Sequence, residues 1–505
     1  MMNALVSDIL VVGGGCAGLL AAVNLKSKLP ELRVKVLRHP LEHDFQPDGQ
    51  ASTVEFPNHI HQELGIPPLD FLRLARPIWR IGTRYQWGPR EFFDHTCEYQ
   101  VDTRYGMLSH ETGFYIGNAA NEFRAVGPAS ARMTDGKVFF REKNGSPQIT
   151  PGRFGYHLEP TRLQKFLELA AQRLGISTRD GKAVQVIRGE MGIAGIRIEG
   201  GEMLTADLYV DATGSESLLL GQRLGVPYIS FASSLPCDSA IVATWPRGTE
   251  PIRPHTEVQT MEAGWCWRTE HEQFVGCGCA FSSAHLRPDE VEGALRKLYP
   301  NAGATRLLKL RQGRHESAWA DNVVAVGNAA ALVEPLASAG LAVLAFQSQW
   351  LAQSLVDCDR TVRPTIMRQF NKRWRRLVEG EREFLGLFYK YNTRLDTPFW
   401  HEAQRSAHLG SLEEVVRCFK DVGPDAIHRS LLLAENDPIG FEGYFSVLIG
   451  QNVAHGGWTP PAAEMQSWKA IEESWQRRAS AGFTVEEALR YFASSPAKSM
   501  TGASR

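Results

Sequence analysis

Asp8-Ile9-Leu10-Val11-Val12-Gly13-Gly14-Gly15-Cys16-Ala17-Gly18 is the stretch whose reading decides the fold. Asp8–Val12 is a short β-branched apolar run and the residues from Leu19 to Leu29 read as a helix, so the glycines occupy a strand-to-helix turn. Gly13 permits the tight turn, Gly15 lets the backbone approach a pyrophosphate, and Gly18 lets the helix pack closely on the strand. The phosphates then meet the positive end of the helix, with Cys16 and Ala17 beside them. Without a ligand, the same glycines make an ordinary tight turn.

The second strand, Arg33–Leu37, ends at Arg38, where dinucleotide folds commonly hold a ribose with an acidic residue. This cation can stack on adenine, meet a phosphate or lie in solvent. Two later strands end in Asp211-Ala212-Thr213-Gly214 and Gly327-Asn328-Ala329-Ala330. With the first turn, they resemble the three fingerprints of the large FAD-dependent monooxygenase fold. That resemblance implies FAD as cofactor, met by Asp211, Gly214, Gly327 and Asn328, whose amide can hydrogen-bond a hydroxyl.

The chain has 505 residues, 43% hydrophobic and 22% charged, which excludes a small stapled scaffold and wholesale disorder. Its formal charge of −1 gives no global field for nucleic acid or an anionic membrane. No apolar run reaches the ~18 residues of a membrane span, and no basic-then-apolar leader precedes the first strand. Eight cysteines are few for this length, so a reduced, cytoplasmic setting is the expectation, with a frayed tail over Ser494–Arg505. Cys266, Cys277 and Cys279, with Cys237, lack the paired spacing of a zinc site. They read as small buried hydrophobes, or as a thiol facing a substrate cavity, and no metal is expected.

Further segments occur in a telling order: Leu235-Pro236-Cys237-Asp238-Ser239-Ala240, Gly264-Trp265-Cys266-Trp267-Arg268, Phe281-Ser282-Ser283, Arg314 to Trp319, Val333-Glu334-Pro335-Leu336 with Ser338 and Gly340, and Asp396-Thr397-Pro398-Phe399-Trp400. From Asp8 to Trp400 the chain resembles the flavin-dependent tryptophan halogenases. The resemblance implies an α/β fold, with a Rossmann-like FAD-binding domain (about 1–45, 155–225 and 305–355). It further implies an interleaved antiparallel β-sheet substrate region (about 46–154 and 226–304) and a helical, substrate-covering part over 361–505. Gln50, Ala51 and Ser52, following Asp48-Gly49, take the place of a flavin strap, and Gly340 and Leu341 lie beside the flavin. A separate flavin reductase would supply reduced FAD, and homodimer formation is left open.

In that family, halide oxidised at the flavin reaches a lysine beside the substrate. Here the position reads Arg80, a permanently charged guanidinium unsuited to forming a haloamine. The family's glutamate, which takes up the proton released from the ring, is Ala337, and a threonine of its halide pocket is Ala339. The signature tryptophans Trp265 and Trp267 remain, but the Ile-Pro that should follow is Thr269-Glu270. Paired tryptophans at this spacing also suit the packing of one sheet face. These departures favour oxygenation of an indole-like aromatic with reduced FAD and O₂, with Arg80 on the substrate side. The substrate would be a small molecule or a protein-bound tryptophan during maturation of a quinone cofactor. A genuine halogenase and a non-catalytic flavin-binding maturation partner are the alternatives. His59 and His61 read as proton-handling groups near the flavin or as helix surface. Arg76, Arg80 and Arg84 recur at spacing four, sharing a helix face unless a strand begins there. Trp400, Phe441, Tyr444 and Trp458 are the aromatics expected near the cavity, and helices are expected over 370–391 and 462–478.

Overall fold

The computed structural model describes residues 5–39, 50–98, 126–424, 439–456 and 460–494. Asp48, Gly49, Trp458, the side chain of Phe441 and all but the first residue of the Ser494–Arg505 tail lie outside what is described.

The strand Asp8–Val12 lies at the centre of a six-stranded sheet. It pairs in parallel with Arg33–Arg38 on one side and Leu208–Asp211 on the other, and Val323–Ala325 continues the parallel order. Parallel strands need covered faces, and the helix Cys16–Lys28 supplies one cover by burying every residue from Gly18 to Leu25. Helices Pro160–Arg173 and Gly340–Asp357 pack beside it. The turn itself demands glycine: Gly13 has φ +119°, and a Cβ there would sit 2.2 Å from the Ala212 carbonyl oxygen.

A seven-stranded sheet gathers residues from two distant parts of the chain. Gly82–Gln86 joins it in parallel beside Thr256–Met261, which pairs in antiparallel fashion with Gly264–Glu270. Alternation along Gly264–Glu270 sends Trp265 toward the main core and Cys266 to the opposite face. There Cys266, Trp245 and Phe281 pack under the helix Pro288–Leu298. Helices form over Pro364–Tyr391 and Ala462–Ser480, where the sequence pattern places them. The first is tied to the sheet region by Trp87 Nε1, which donates to the Phe388 carbonyl at 2.8 Å, and by Gly88 N, which donates to Asn392 Oδ1 at 3.0 Å. Among the described residues no helix is long and apolar enough to cross a membrane.

One expectation changes. Cys266 and Cys279 are direct cross-strand neighbours and form a disulfide, so neither is the free thiol expected of a reduced chain or one facing a substrate cavity. Of the two readings of the arginines at spacing four, the strand reading holds, and they share no face. Arg76 ends a helix in left-handed conformation and pairs with Glu272, Arg80 lies on the strand Ile78–Arg80, and Arg84 lies on the next strand, paired with Asp94.

Alkylation of the denatured, unreduced protein is expected to label six of the eight cysteines, and all eight after reduction. The disulfide closes a 13-residue separation, so Cys266→Ser should lower stability by about 2–4 kcal/mol, read from denaturant unfolding without reductant.

Candidate active site

The three fingerprints meet in space. Gly13 abuts Ala212, and a Cβ on Gly327, whose φ is +59°, would lie 3.1 Å from the Ala17 Cβ. Gly15 is extended and has nothing within 4 Å of its Cβ position. The helix it opens has neither a side-chain cap nor an acid in its first turn, so its N–H groups are free to meet an anion. Asn328 is exposed at the same edge. An open glycine cradle, an uncapped helix end and an exposed amide fit a dinucleotide such as FAD.

Other sequence-predicted residues hold the cradle together. Asp211 is fully buried, and its carboxylate accepts from Leu219 N, Leu220 N, Thr213 N and Thr213 Oγ1, so it caps the following turn. Gly214 begins that turn at φ +68°. Arg38 lies against Gly14, but its guanidinium is engaged by Asp180 at 2.6 Å and Glu168 at 3.0 Å. Cys16 Sγ lies 3.6 Å from the Pro160 carbonyl. The helix Gly340–Asp357 starts without a side-chain cap, with Gly340 exposed, Leu341 buried and Ser338 left-handed just before it.

The strap and Arg80 form one hydrogen-bonded unit. Gln50–Ala51 pairs with Gly155–Leu158, and Tyr156 N donates to Ser52 Oγ at 2.9 Å. Arg80, only 3% exposed, donates from Nη1 to the Ser52 carbonyl at 3.0 Å, from Nε to Thr256 Oγ1 at 2.9 Å, and from Nη2 to Thr83 Oγ1. Three of the five guanidinium N–H groups are thus bonded among the described residues. Its charge helps keep neighbouring histidines neutral. Burial, with Arg80 adding to it, lowers His95 to about 3 and His157 well below the usual range. His59 is 4% exposed rather than on the helix surface, and burial, helped by Lys28, takes it to about 4. It therefore stays neutral near pH 7 and does not titrate there. His61 is held by the Ile66 carbonyl and Tyr156 OH, both at 2.9 Å.

Trp265 and Trp267 lie on one face with ring centroids 5.2 Å apart, Trp265 fully buried. Beside Trp265 is a polar cluster that the sequence reading missed. Glu334 Oε2 accepts from Gln312 Nε2 and Tyr389 OH, each at 3.0 Å, and the Tyr389 hydroxyl lies 3.2 Å from Cys237 Sγ. Glu334 Oε1 has no partner in hydrogen-bonding geometry among the described residues, although the Trp265 indole N–H faces the carboxyl. Burial raises this carboxyl to about 7 against the pull of Tyr389 and Gln312. The one signal in the sequence was an acid inside the otherwise apolar Val333–Leu336 segment. Trp400 and Tyr444 are both core residues: Trp400 packs on Trp87 and Tyr389, Tyr444 on Phe384.

Residues 8–467 match the tryptophan halogenase family. The chain is 30% identical over 454 residues to 7-chloro-L-tryptophan 6-halogenase KtzR of Kutzneria sp. (strain 744), covering 82% of this chain and 85% of that one. It is 25% identical over 446 residues to tryptophan 6-halogenase ThaL of Streptomyces albogriseolus, covering 83% of each. Its structure is similar to that of MibH, a lanthipeptide tryptophan 5-halogenase, with a TM-score of 0.87 and 32% identity over 97% of this chain and 94% of that one. A likeness that runs from the first glycine turn into the C-terminal helices makes this chain a member of the tryptophan halogenase family, an enzymatic family of flavin-dependent oxidoreductases.

Proposed function

We propose that this chain is a flavin-dependent halogenase acting on the indole of tryptophan, with FAD in the glycine cradle and a separate reductase supplying electrons. The observation that carries the reading is the likeness to MibH along nearly the whole chain at 32% identity. The lanthipeptide named for that protein also supports a tryptophan borne on a peptide as the substrate. Likeness of this extent outweighs the oxygenation suggested by the substituted positions 80 and 337.

Reduced FAD, with dioxygen, supplies the oxidising equivalents that turn halide into an electrophilic halogen. In this reading Arg80 acts on that halogen species. Its charge is fixed, it is buried where electrostatic interactions are strong, and two of its N–H groups have no partner among the described residues. A guanidinium donates hydrogen bonds and orients; it does not form a covalent haloamine. Substitution on the ring releases a proton, and Ala337 offers no base. Glu334 Oε1, of the same segment, is a carboxylate oxygen with no hydrogen-bond partner among the described residues, and a pKa of about 7 suits a group that both accepts and releases protons.

A second reading, oxygenation, is favoured by Arg80 and Ala337 themselves. The two separate by mass. With FAD, a flavin reductase, bromide and a tryptophan-bearing peptide, halogenation predicts bromine in the product. Oxygenation predicts an oxygen gain that ignores halide.

Arg80→Gln is expected to lower kcat/KM by about 10²–10³-fold, the range for loss of a charge-stabilising donor. Bound FAD, read from its visible absorbance, controls for folding. Glu334→Gln is expected to cost about 10²–10⁴-fold and to remove a rise of kcat/KM through pH 7. Stability gives an independent reading. Because folding raises the Glu334 pKa to about 7, its contribution is full below the unfolded-state pKa and is lost as pH rises through 7. Glutamine does not titrate, so the variant should gain on wild type between pH 5 and pH 8 by at most about 3 kcal/mol in denaturant unfolding.

A further inference from the structure

A cavity of about 230 Å³ lies apart from the glycine cradle, between the helices Pro128–Thr134 and Ala462–Ser480 and the turn ahead of Gly155–Leu158. Its charged lining comprises Arg132, Arg153 and Arg478 against one carboxylate, Glu98. Ile81 also lines it, the residue after Arg80 in the chain, so the cavity lies next to the strand that carries Arg80.

Arg132 is 5% exposed. Its Nη2 donates to Glu98 at 2.7 Å, while its Nε, also buried, has no partner among the described residues. Burial lowers the pKa of Arg132, the Glu98 carboxylate opposes that shift, and the nearby charge of Arg478 lowers it again, so the two cations repel each other. Both guanidinium groups lie over the Phe140 ring, at 4.6 Å and 4.2 Å from its centroid. Arg478 donates to Gln148 Oε1 at 3.0 Å, and Arg153 is exposed at the rim. Glu98 already pairs one Arg132 donor, but the idle Nε and the two further cations leave positive charge that a second anion would offset.

We propose that this cavity binds a dianionic oxyanion of the phosphate-monoester class. Among the described residues, three guanidinium groups against one carboxylate leave an excess of two positive charges, which a phosphate dianion neutralises. Planar guanidinium forks match tetrahedral oxyanions with paired hydrogen bonds. The Thr150 hydroxyl adds a donor, and Phe154 and Trp475 supply apolar wall for the organic part of the ester. The proposal does not depend on which reaction the flavin site performs.

The test is calorimetric titration of the FAD-loaded, full-length protein, so that the glycine cradle is already filled. The probes are inorganic phosphate, phenyl phosphate, and sodium chloride at matched ionic strength. The expected result is saturable binding of phosphate, with phenyl phosphate at least as tight and chloride giving no saturable heat. Arg153→Gln and Arg478→Gln, both at exposed positions, should each weaken phosphate about tenfold, as expected for losing a charge-assisted hydrogen bond. Phosphate heat indistinguishable from that of chloride, exclusion of phenyl phosphate, or a double variant that binds phosphate as tightly as wild type would each overturn the proposal.

Discussion

Everything at the cofactor end depends on one close approach, the Gly13 backbone against the Ala212 carbonyl. No side chain fits there, so the first turn and the end of the second fingerprint strand are held in van der Waals contact by the lack of one. Gly327 against Ala17 repeats the arrangement and brings in the third fingerprint. The anion-facing end of the helix Cys16–Lys28 is therefore fixed by backbone geometry. This explains why Arg38 and Asn328 can depart from the usual acids without disturbing the cradle: neither takes part in the Gly13–Ala212 or Gly327–Ala17 approach, and Arg38 instead ties its strand to Asp180 on the neighbouring one. Asp211 keeps its acid for a different reason, since four donors converge on that carboxylate and removing it would leave them buried and unpaired.

Charge organises the surroundings of Arg80, which is only 3% exposed. Arg80 links the strap at Ser52 to the strand at Thr256, and Thr256 Oγ1 in turn bonds His157 Nε2 at 2.8 Å. A permanent cation so deeply buried makes further positive charge expensive nearby, which is one reason His95 and His157 remain neutral. The same cation draws the buried Glu55 carboxyl downward, against a larger upward push from burial. A lysine here could lose its proton; an arginine keeps a constant field.

How much of this was legible follows from which interactions are local. The glycine turn, the strands ending at Asp211 and before Gly327, and the helix Pro364–Tyr391 are written in short-range patterns, and the structure follows them. Placing Trp265 and Trp267 on one face needed only strand alternation. The Cys266–Cys279 bond was invisible because it depends on the register between two strands, which neither their spacing nor composition specifies. His59 misled for a related reason: its titration is set by burial, and burial comes from the tertiary fold. Arg76, Arg80 and Arg84 kept helical spacing across a helix end and two strands, so the period there carried no structural meaning.

Glu334 shows why a lost residue in a motif does not by itself define the chemistry that remains. Ala337 removes a carboxylate from the segment, yet three residues earlier the chain retains another whose environment is assembled from three regions. Gln312 comes from the loop before the strand Gly313–His315, Tyr389 from the long C-terminal helix, and Trp265 from the seven-stranded sheet. Each contact that lowers the Glu334 pKa is opposed by a desolvation cost that raises it further, and the balance falls near neutrality. A proton on this carboxyl is therefore sensitive to the packing of the C-terminal helix on the sheet. Any movement of Tyr389 that withdraws its hydroxyl removes a stabilising donor from the carboxylate, which raises its affinity for a proton. The long C-terminal helix thus acts on the protonation of Glu334 through one hydrogen bond.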